Sequence, residues 1–306
     1  MAAELQDVQA AAGAVFEDGV PMSFGNDPAA IAAAQTGVAL GDRSHWGLIS
    51  VSDEDRLRFL HNQTTNRFEG QQPGEACDTV FVTSTARTID LITAYVTEVA
   101  VLLLTSPGLD GRLMEWMDRY IFFADKVKLE NLTQQTAKFS LVGPAAESLL
   151  AALGAAVPKT GHLETTIAEV PVRVAVGCGL ALPGYTLLAD STSGAQLWQS
   201  LAEAGAVALG DRPWQQLMVE QGRPLPGTEL TEDYNPLEAR QGLLHRPGNH
   251  RPPQYLPGGE AAALGADPLR ASGGGHRDYS GRHQSGHPHP GPGNAEWLAR
   301  AGLHSH

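Results

Sequence analysis

The sequence predicts an α+β fold built on largely antiparallel sheets, and three observations lead to that expectation. Three consecutive runs rich in Val, Ile and Thr read as strands between positions 77 and 106. Patterns with helical spacing stand before and after those runs. The same order of strands followed by a helix recurs after position 160. An order of strand, helix, several strands, helix and strand is typical of α+β proteins.

The first unit can be followed element by element. A strand at 46–51 leads into a capping pattern at 52–55, which predicts a helix over 56–65. Pro107 suits the first turn of a further helix. The remaining predicted elements of this unit are the strands at 77–83, 88–97 and 99–106, the helix over 107–123, and the strands at 126–133 and 137–143.

The second unit repeats the theme. Strand patterns cover 165–176 and 184–190, and a helix is predicted over 195–206 with its end near Gly205. A last helix follows, because the side chains of Trp214, Leu217, Met218 and Gln221 have the spacing of one helical face. The preceding Pro213 suits the first turn of that helix, and the Gly-x-Pro pattern at 222–224 ends it.

Composition excludes several classes of protein. The formal net charge of -13 argues against direct binding of nucleic acid, which needs clustered Lys and Arg. No apolar run approaches the length of a membrane span, and the acidic N-terminus does not resemble a secretory signal, so we expect a cytoplasmic protein. The two cysteines, Cys77 and Cys178, form no CxxC pair and indicate neither a disulfide framework nor a zinc site.

Two stretches resemble a known family. The string VEQGRPLPGTELTEDYNPLEA at 219–239 is similar to the central segment of the glycine-cleavage T-protein superfamily, and most closely to its YgfZ-type folate-binding branch. The string DRSHWGLISVSDEDRLRFLHNQTTN at 42–66 resembles that family's first strand and helix. The resemblance implies two α+β lobes, at 1–160 and 161–239, around a central folate pocket, followed in the family by a C-terminal barrel.

The resemblance also implies which residues bind tetrahydrofolate or a folate derivative. Trp46 and Trp214 stand where YgfZ-type proteins carry two tryptophans that contact folate, and an indole stacks well on a flat pterin ring. Both could equally be core residues. Glu220 and Arg223 are candidates for the polar edge and the glutamate tail of folate, although either could be a solvated charge at a helix end.

Asp90 occupies the position where aminomethyltransferases of the superfamily have paired acidic residues after two glycines. This chain has Ala86 and Arg87 in place of the glycines, and Leu91 follows the single Asp. A carboxylate that must orient a nitrogen of tetrahydrofolate has therefore lost its usual setting. This departure disfavours aminomethyl transfer.

The composition changes abruptly after Ala239. Residues 240–306 contain 13 of the 34 Gly, 8 of the 20 Pro and 8 of the 11 His, and no Lys. The YgfZ-type signature Lys-Gly-Cys-Tyr-x-Gly-Gln-Glu is missing. Codons that can encode residues 241–249, translated with an offset of one base, give Lys-Gly-Cys-Tyr-Ile-Gly-Gln-Glu. We therefore interpret 240–306 as a frame-shifted, disordered tail that replaces the barrel; a histidine-rich metal-binding tract and an independent domain are the alternatives.

Three functional hypotheses follow. The first is a folate-binding accessory protein that supports assembly or repair of iron–sulfur clusters, with iron–sulfur enzymes or their assembly machinery as partners and an indirect link to tRNA modification. The second is an aminomethyltransferase that moves a one-carbon unit to tetrahydrofolate. The third is an inactive product. The sequence alone leaves open whether the chain is an enzyme.

Overall fold

The predicted α+β class is confirmed. The structure, a computed structural model, describes residues 2–225 and 227–234. Its strands form a five-stranded sheet, a six-stranded sheet and a small two-stranded one, and almost all strand pairs are antiparallel. Helices pack against the two larger sheets, and several strands follow one another along the chain without a helix between them.

The helices and strands have the following bounds. The helices are α1 (Ala2–Ala11), α2 (Asp27–Thr36), α3 (Arg56–Gln63), α4 (Asp110–Asp118), α5 (Ala146–Ala152), α6 (Gly194–Glu203) and α7 (Asp211–Gln221). The strands are β1 (Val15–Glu17), β2 (Val20–Ser23), β3 (Ala39–Asp42), β4 (Gly47–Ser52), β5 (Ala76–Val82), β6 (Thr88–Val96), β7 (Ala100–Thr105), β8 (Lys128–Asn131), β9 (Thr136–Val142), β10 (His162–Ile167), β11 (Val170–Val176), β12 (Gly184–Asp190) and β13 (Val207–Leu209).

The five-stranded sheet has the order β5-β6-β7-β4-β8 and is antiparallel throughout. Its central strands β6, β7 and β4 match the predicted runs at 88–97, 99–106 and 46–51 to within one residue at each end. Branched and aromatic side chains fill one face of this sheet, where helices α3 and α4 add Leu60 and Met117, both fully buried. Because this face is buried, its strands carry apolar side chains, and this apolar pattern made the strands predictable from the sequence.

The six-stranded sheet has the order β10-β11-β12-β9-β3-β13. Strand β9 lies in its middle and is almost entirely buried. The run 165–176, predicted as one strand pattern, is in fact a hairpin of β10 and β11. Its turn is at Ala168 and Glu169, whose φ angles of 48° and 67° are left-handed, as tight hairpins require. Neither residue is a glycine or asparagine, so the turn carried no usual sequence signal.

The predicted helix over 107–123 is too long. Helix α4 begins at Asp110, because Gly108 has a φ of 72° and breaks the first turn. The helix ends at Asp118, and the side chains of Phe122 and Phe123 beyond it are exposed. The apolar residues that suggested a longer helix therefore do not all pack into the core.

The last predicted helix is confirmed as α7. It ends at Gln221, and the next residue, Gly222, has a left-handed φ of 70° and donates its N–H to the carbonyls of Met218 and Val219. The chain then runs to the five-stranded sheet, where the backbone N–H of Thr88 donates to the carbonyl oxygen of Tyr234 over 2.9 Å. The segment after α7 thus ties that helix to the start of β6.

The division of the chain at residue 160 stays a prediction. The six-stranded sheet itself takes strands from both sides of that position, since β9 pairs with β12, and β3 pairs with both β9 and β13. The predicted tail at 240–306, and with it the loss of a barrel, lies outside the described residues. Within 2–225 and 227–234, no helix combines the length and apolar character that crossing a membrane demands.

His162 joins the two larger sheets. Its backbone N–H donates to the carbonyl of Gly74 over 2.8 Å, and its ring Nε2 lies 2.9 Å from the carbonyl oxygen of Val96. The other ring nitrogen, Nδ1, lies 2.9 Å from a guanidinium nitrogen of Arg173, which also pairs with Glu164. The two ring contacts are both satisfied by neutral imidazole, with Nε2 donating and Nδ1 accepting.

We expect protonation of His162 to lower the stability of the protein when the pH drops below about 6.5, whereas buried Asp90, whose pKa is raised to about 6, opposes this loss. Burial, and then the charge of Arg173, lower the pKa of His162 below 6.5. The unfolded chain therefore binds more protons at this residue than the folded chain, and the free energy of unfolding decreases as the pH falls. Denaturant titrations at about pH 5 and about pH 7.5 measure the difference. His162→Gln should reduce that difference, and an unchanged difference would show that other groups cause it.

Candidate functional site

A cavity of about 560 Å³ lies where the five-stranded and six-stranded sheets meet. Strands β5 and β6 form one wall, and the segment from β11 to β12 forms another. The polar side chains that face it include those of Arg43, Asp78, Thr93, Tyr95 and Thr186. A volume of this size lies within the usual range for small-molecule sites, and a few polar groups among apolar ones are the usual lining.

Asp78 and Thr93 come together through strand register. They are directly opposed in the antiparallel pair of β5 and β6, so their side chains share one face. The hydroxyl of Thr93 donates to Asp78 Oδ1 over 2.6 Å. Burial raises the pKa of Asp78, while the charge of Arg223 and then the bond from Thr93 oppose the rise. Asp78 thus presents a partly desolvated carboxylate to the cavity.

Arg43 follows β3 and is only 2% exposed. Its backbone N–H donates to the carbonyl of Lys138, which fixes where the side chain leaves the sheet. Nη2 of the guanidinium donates to Thr186 Oγ1 over 2.9 Å, and Thr186 in turn donates to the carbonyl of Gly177 over 2.7 Å. Burial lowers the pKa of Arg43 to about 10, so the side chain stays charged at neutral pH.

Trp46 and Trp214 enclose that guanidinium. The Cζ atom of Arg43 lies 4.9 Å from the ring centroid of Trp46 and 5.1 Å from that of Trp214. The two indoles meet edge to face, with centroids 6.4 Å apart. They are 3% and 2% exposed and are not among the residues that line the cavity. The structure therefore brings the two predicted tryptophans together, while their stacking on folate stays a prediction.

Arg223, a predicted site residue, joins the same cluster. It is buried, and its Cζ lies 5.6 Å from the ring centroid of Trp46. Its charge also opposes the rise that burial causes in the pKa of Asp78 and of Asp90. Arg223 thus supplies a second buried cation beside the cavity. Glu220 lies apart from this cluster: it is exposed on α7 and accepts a hydrogen bond from Gln216 over 2.8 Å.

Asp90 is fully buried on β6, and Ser106 occupies both of its carboxylate oxygens. The backbone N–H of Ser106 donates to Oδ2 over 2.9 Å, and its hydroxyl donates to Oδ1 over 2.6 Å. Burial raises the pKa of Asp90 to about 6, against the lowering effect of these two bonds. Asp90 is not among the cavity residues. Its carboxylate therefore serves Ser106 and is not offered to a ligand in this conformation.

Cys77 is half-buried and Cys178 is fully buried, and both carry thiols that resist ionisation. Cys77 lines the cavity and accepts a hydrogen bond from Gln71 over 3.3 Å, whereas Cys178 is 0% exposed and does not line the cavity. Burial raises the pKa of both thiols. Since the thiolate is the nucleophilic form, neither cysteine is activated in this structure.

Sequence reasoning missed Arg43 and Asp78. Arg43 stands three residues before Trp46, inside the stretch at 42–66 that resembles the family. A cation so close in sequence to an aromatic residue could have indicated that the two side chains interact. Asp78 interrupts an otherwise apolar strand pattern. A charged residue on the buried part of a strand usually has a partner or a function, and that rule could have found it.

Two largely antiparallel sheets with a pocket where they meet define the class of fold. Comparisons with known proteins identify it: the profile of the GCVT N-terminal domain family matches residues 5–245. The chain belongs to this family.

Relatives agree with that assignment. A chloroplastic protein of Arabidopsis thaliana, whose name assigns it provisionally to the transferases, is 41% identical over 77% of this chain and 55% of its own length. The aminomethyltransferase of Mycolicibacterium paratuberculosis is 29% identical over 73% of this chain and 62% of its own. The chain thus spans between half and two thirds of these relatives.

A solved structure shows the same fold. The crystal structure of the glycine cleavage system aminomethyltransferase T from Bartonella henselae aligns with a TM-score of 0.68. The alignment covers 78% of this chain and 70% of that protein, at 18% sequence identity. The T-protein-like architecture predicted from the sequence is therefore confirmed for the described residues.

Proposed function

We propose that this chain binds tetrahydrofolate in the cavity beside Arg43 and Asp78, and acts as a folate-binding accessory protein of the YgfZ type. The observation that carries the proposal is the cavity of about 560 Å³ with charged Arg43 and Asp78 in a largely apolar lining, in a chain that belongs to the GCVT family. Relatives in that family are named aminomethyltransferases, and the cofactor of that reaction is a folate.

The residues of the cavity fit a reduced pterin. Its ring carries a carbonyl oxygen that accepts hydrogen bonds and amino groups that donate them, and the cavity offers the matching partners in charged Arg43 and the carboxylate of Asp78. Thr93 holds Asp78 in place, and Thr186 holds Arg43. When bound, tetrahydrofolate would supply a carrier for a one-carbon unit. The residues named here bind and orient it, and the apolar part of the lining packs against its ring.

A second candidate function is aminomethyl transfer, which the named relatives favour. The placement of Asp90 is the observation against it. Both oxygens of that carboxylate bond to Ser106, and the next residue is Leu91 instead of a second acid. A transferase that uses a carboxylate to orient the folate nitrogen needs that group in the pocket. An accessory role requires only that folate binds, so it agrees better with this site than aminomethyl transfer does.

We expect wild-type protein to bind tetrahydrofolate and Asp78→Asn to bind it about tenfold or more weakly. The reason is that a hydrogen bond to a charged group contributes about 1.5–3 kcal/mol, and the amide presents a donor where the ligand needs an acceptor. Isothermal titration calorimetry under argon measures both affinities. Asp118→Asn, at the exposed end of α4, is the matched control and should bind as the wild type does. Absence of binding by the wild type would refute the proposed function.

The proposed link to iron–sulfur enzymes rests on the resemblance to YgfZ-type proteins, as do the indirect link to tRNA modification and the cytoplasmic location. In that family the signature cysteine is the reactive centre, and this chain lacks it as written. Cys77 and Cys178 are poor substitutes because burial raises the pKa of both thiols.

We therefore expect this chain to fail, and a version with the restored Lys-Gly-Cys-Tyr-Ile-Gly-Gln-Glu signature to succeed, in replacing a YgfZ-type protein in a cell that lacks its own. A thiolate at the signature position is both a strong nucleophile and a soft iron ligand. The level of thiolated tRNA measures rescue. A change of the restored cysteine to serine is the control and should abolish rescue again. Equal rescue by the unrestored chain would show that the signature is dispensable.

A further inference from the structure

The guanidinium of Arg43 is incompletely satisfied by the described residues. Its side chain donates one hydrogen bond to them, from Nη2 to Thr186, and Nε is enclosed without an acceptor. No carboxylate among the described residues lies within ion-pairing distance of it, since none of the ion pairs found there includes Arg43. A buried charge that lacks some of its hydrogen-bond partners raises the free energy of the folded state. Buried polar groups in proteins therefore nearly always have a partner, which can be a ligand.

The surroundings hold this cation in one orientation. The faces or edges of two indoles lie about 5 Å from its Cζ, and Gly179 packs so closely that a Cβ there would lie 2.7 Å from Nη1. Arg43 nonetheless lines the cavity, where no described acidic side chain pairs with it. Preorganisation of this kind lowers the entropy that is lost when a ligand binds.

We propose that Arg43 recognises an acceptor oxygen of the cavity's ligand, and that Trp46 and Trp214 act through Arg43 by holding it instead of stacking on the ligand. The inference rests on the proposed folate function and assigns its specificity. Arg43 is a ligand-binding residue in this scheme, and the two tryptophans are positioning residues. The acceptor is a carbonyl or carboxylate oxygen, and folate has both kinds, in the pterin ring and in the glutamate tail.

Three reduced probes separate those sources. Tetrahydrofolate carries the ring carbonyl and the glutamate carboxylates, tetrahydroaminopterin has an amino group in place of the ring carbonyl, and the glutamate dimethyl ester of tetrahydrofolate has no free carboxylate. Wild-type protein should bind one of the two analogues about tenfold or more weakly than tetrahydrofolate, and the weaker one names the source of the oxygen. Equal affinity for all three probes would overturn the inference even if no variant folds.

Arg43→Met removes the donors and keeps most of the side-chain volume. It should lose about tenfold or more in affinity for tetrahydrofolate and should no longer discriminate between the probes. Arg43→Lys keeps a charge and should recover part of the discrimination. Arg112→Met, at an exposed position on α4, is the matched control and should behave as the wild type does. Circular dichroism checks that each variant is folded.

A double-mutant cycle tests the role of the tryptophans. Trp214→Phe alone should weaken binding of tetrahydrofolate, but it should have no further effect when added to Arg43→Met, because the residue that it positions is gone. Additive losses would instead show that Trp214 contacts the ligand directly, and would overturn the inference. Retained binding and discrimination in folded Arg43→Met would do the same while leaving the proposed function intact. No binding of any probe by the wild type would refute the proposed function itself.

Discussion

Replacing Trp198 by alanine should lower the free energy of unfolding by about 3–5 kcal/mol, one of the two largest effects that we expect. Trp198 on α6 is 1% exposed and lies at the centre of the core behind the six-stranded sheet. Its ring stacks on Phe24 with centroids 5.8 Å apart and meets Phe139 edge to face at 5.4 Å. The substitution removes these aromatic contacts and leaves a cavity that rigid strands cannot close.

Urea titration followed by circular dichroism measures this effect, and Trp116→Ala provides the comparison. Trp116 on α4 is only half-buried and has one aromatic neighbour, Tyr120, at 5.0 Å. Its removal should cost clearly less, because part of the lost area was already in contact with water. Similar losses for the two variants would mean that the core behind the six-stranded sheet is less tightly packed than the structure shows.

The central strands β4, β6 and β7 of the five-stranded sheet were predictable because each carries a largely apolar run with clear ends. Strands β5, β6 and β7 follow one another in sequence and pair with one another, so local pattern and tertiary pairing agree. The short strand β13 lacked such a signal. It has three residues and pairs in parallel with β3, which lies far away in the chain. Pairing over such a distance leaves no trace in a local pattern.

The same reasoning explains which site residues were found. Trp46 and Trp214 were recognisable as rare residues inside family motifs, and the structure places them together. Their partner was not recognisable, because Arg43 reaches both of them only when β3 and α7 pack. Glu220 was selected by its place in a motif, yet helical periodicity puts it on the exposed face of α7. Sequence identifies the residue types of a site, whereas the packing of distant elements decides which of them meet.

Gly184 begins β12 and lines the cavity. The absence of a side chain at this position permits the close approach of β9 and β12 in the cavity wall. Its φ is 155°, and a Cβ at this position would lie 2.0 Å from the carbonyl oxygen of Leu141 and 3.0 Å from Cβ of Cys178. The backbones of β9 and β12 approach each other in a way that only glycine permits. A side chain here would have to separate the two strands that fix one wall of the cavity.

Gly184→Ala should therefore lower the free energy of unfolding by about 2–4 kcal/mol, because it combines an unfavourable backbone conformation with a clash against backbone atoms that cannot rotate away. Any folded fraction should also bind tetrahydrofolate more weakly, since the displaced strand carries Thr186, the hydrogen-bond partner of Arg43.

Gly111→Ala is the matched control. No atom lies within 4 Å of its added Cβ and it stands in helix α4, so it should be neutral or stabilising by up to about 1 kcal/mol. Urea titration and calorimetry on the two variants decide the matter: if Gly184→Ala is as stable as Gly111→Ala, strands β9 and β12 do not approach as closely as the structure shows, and the cavity has a different wall.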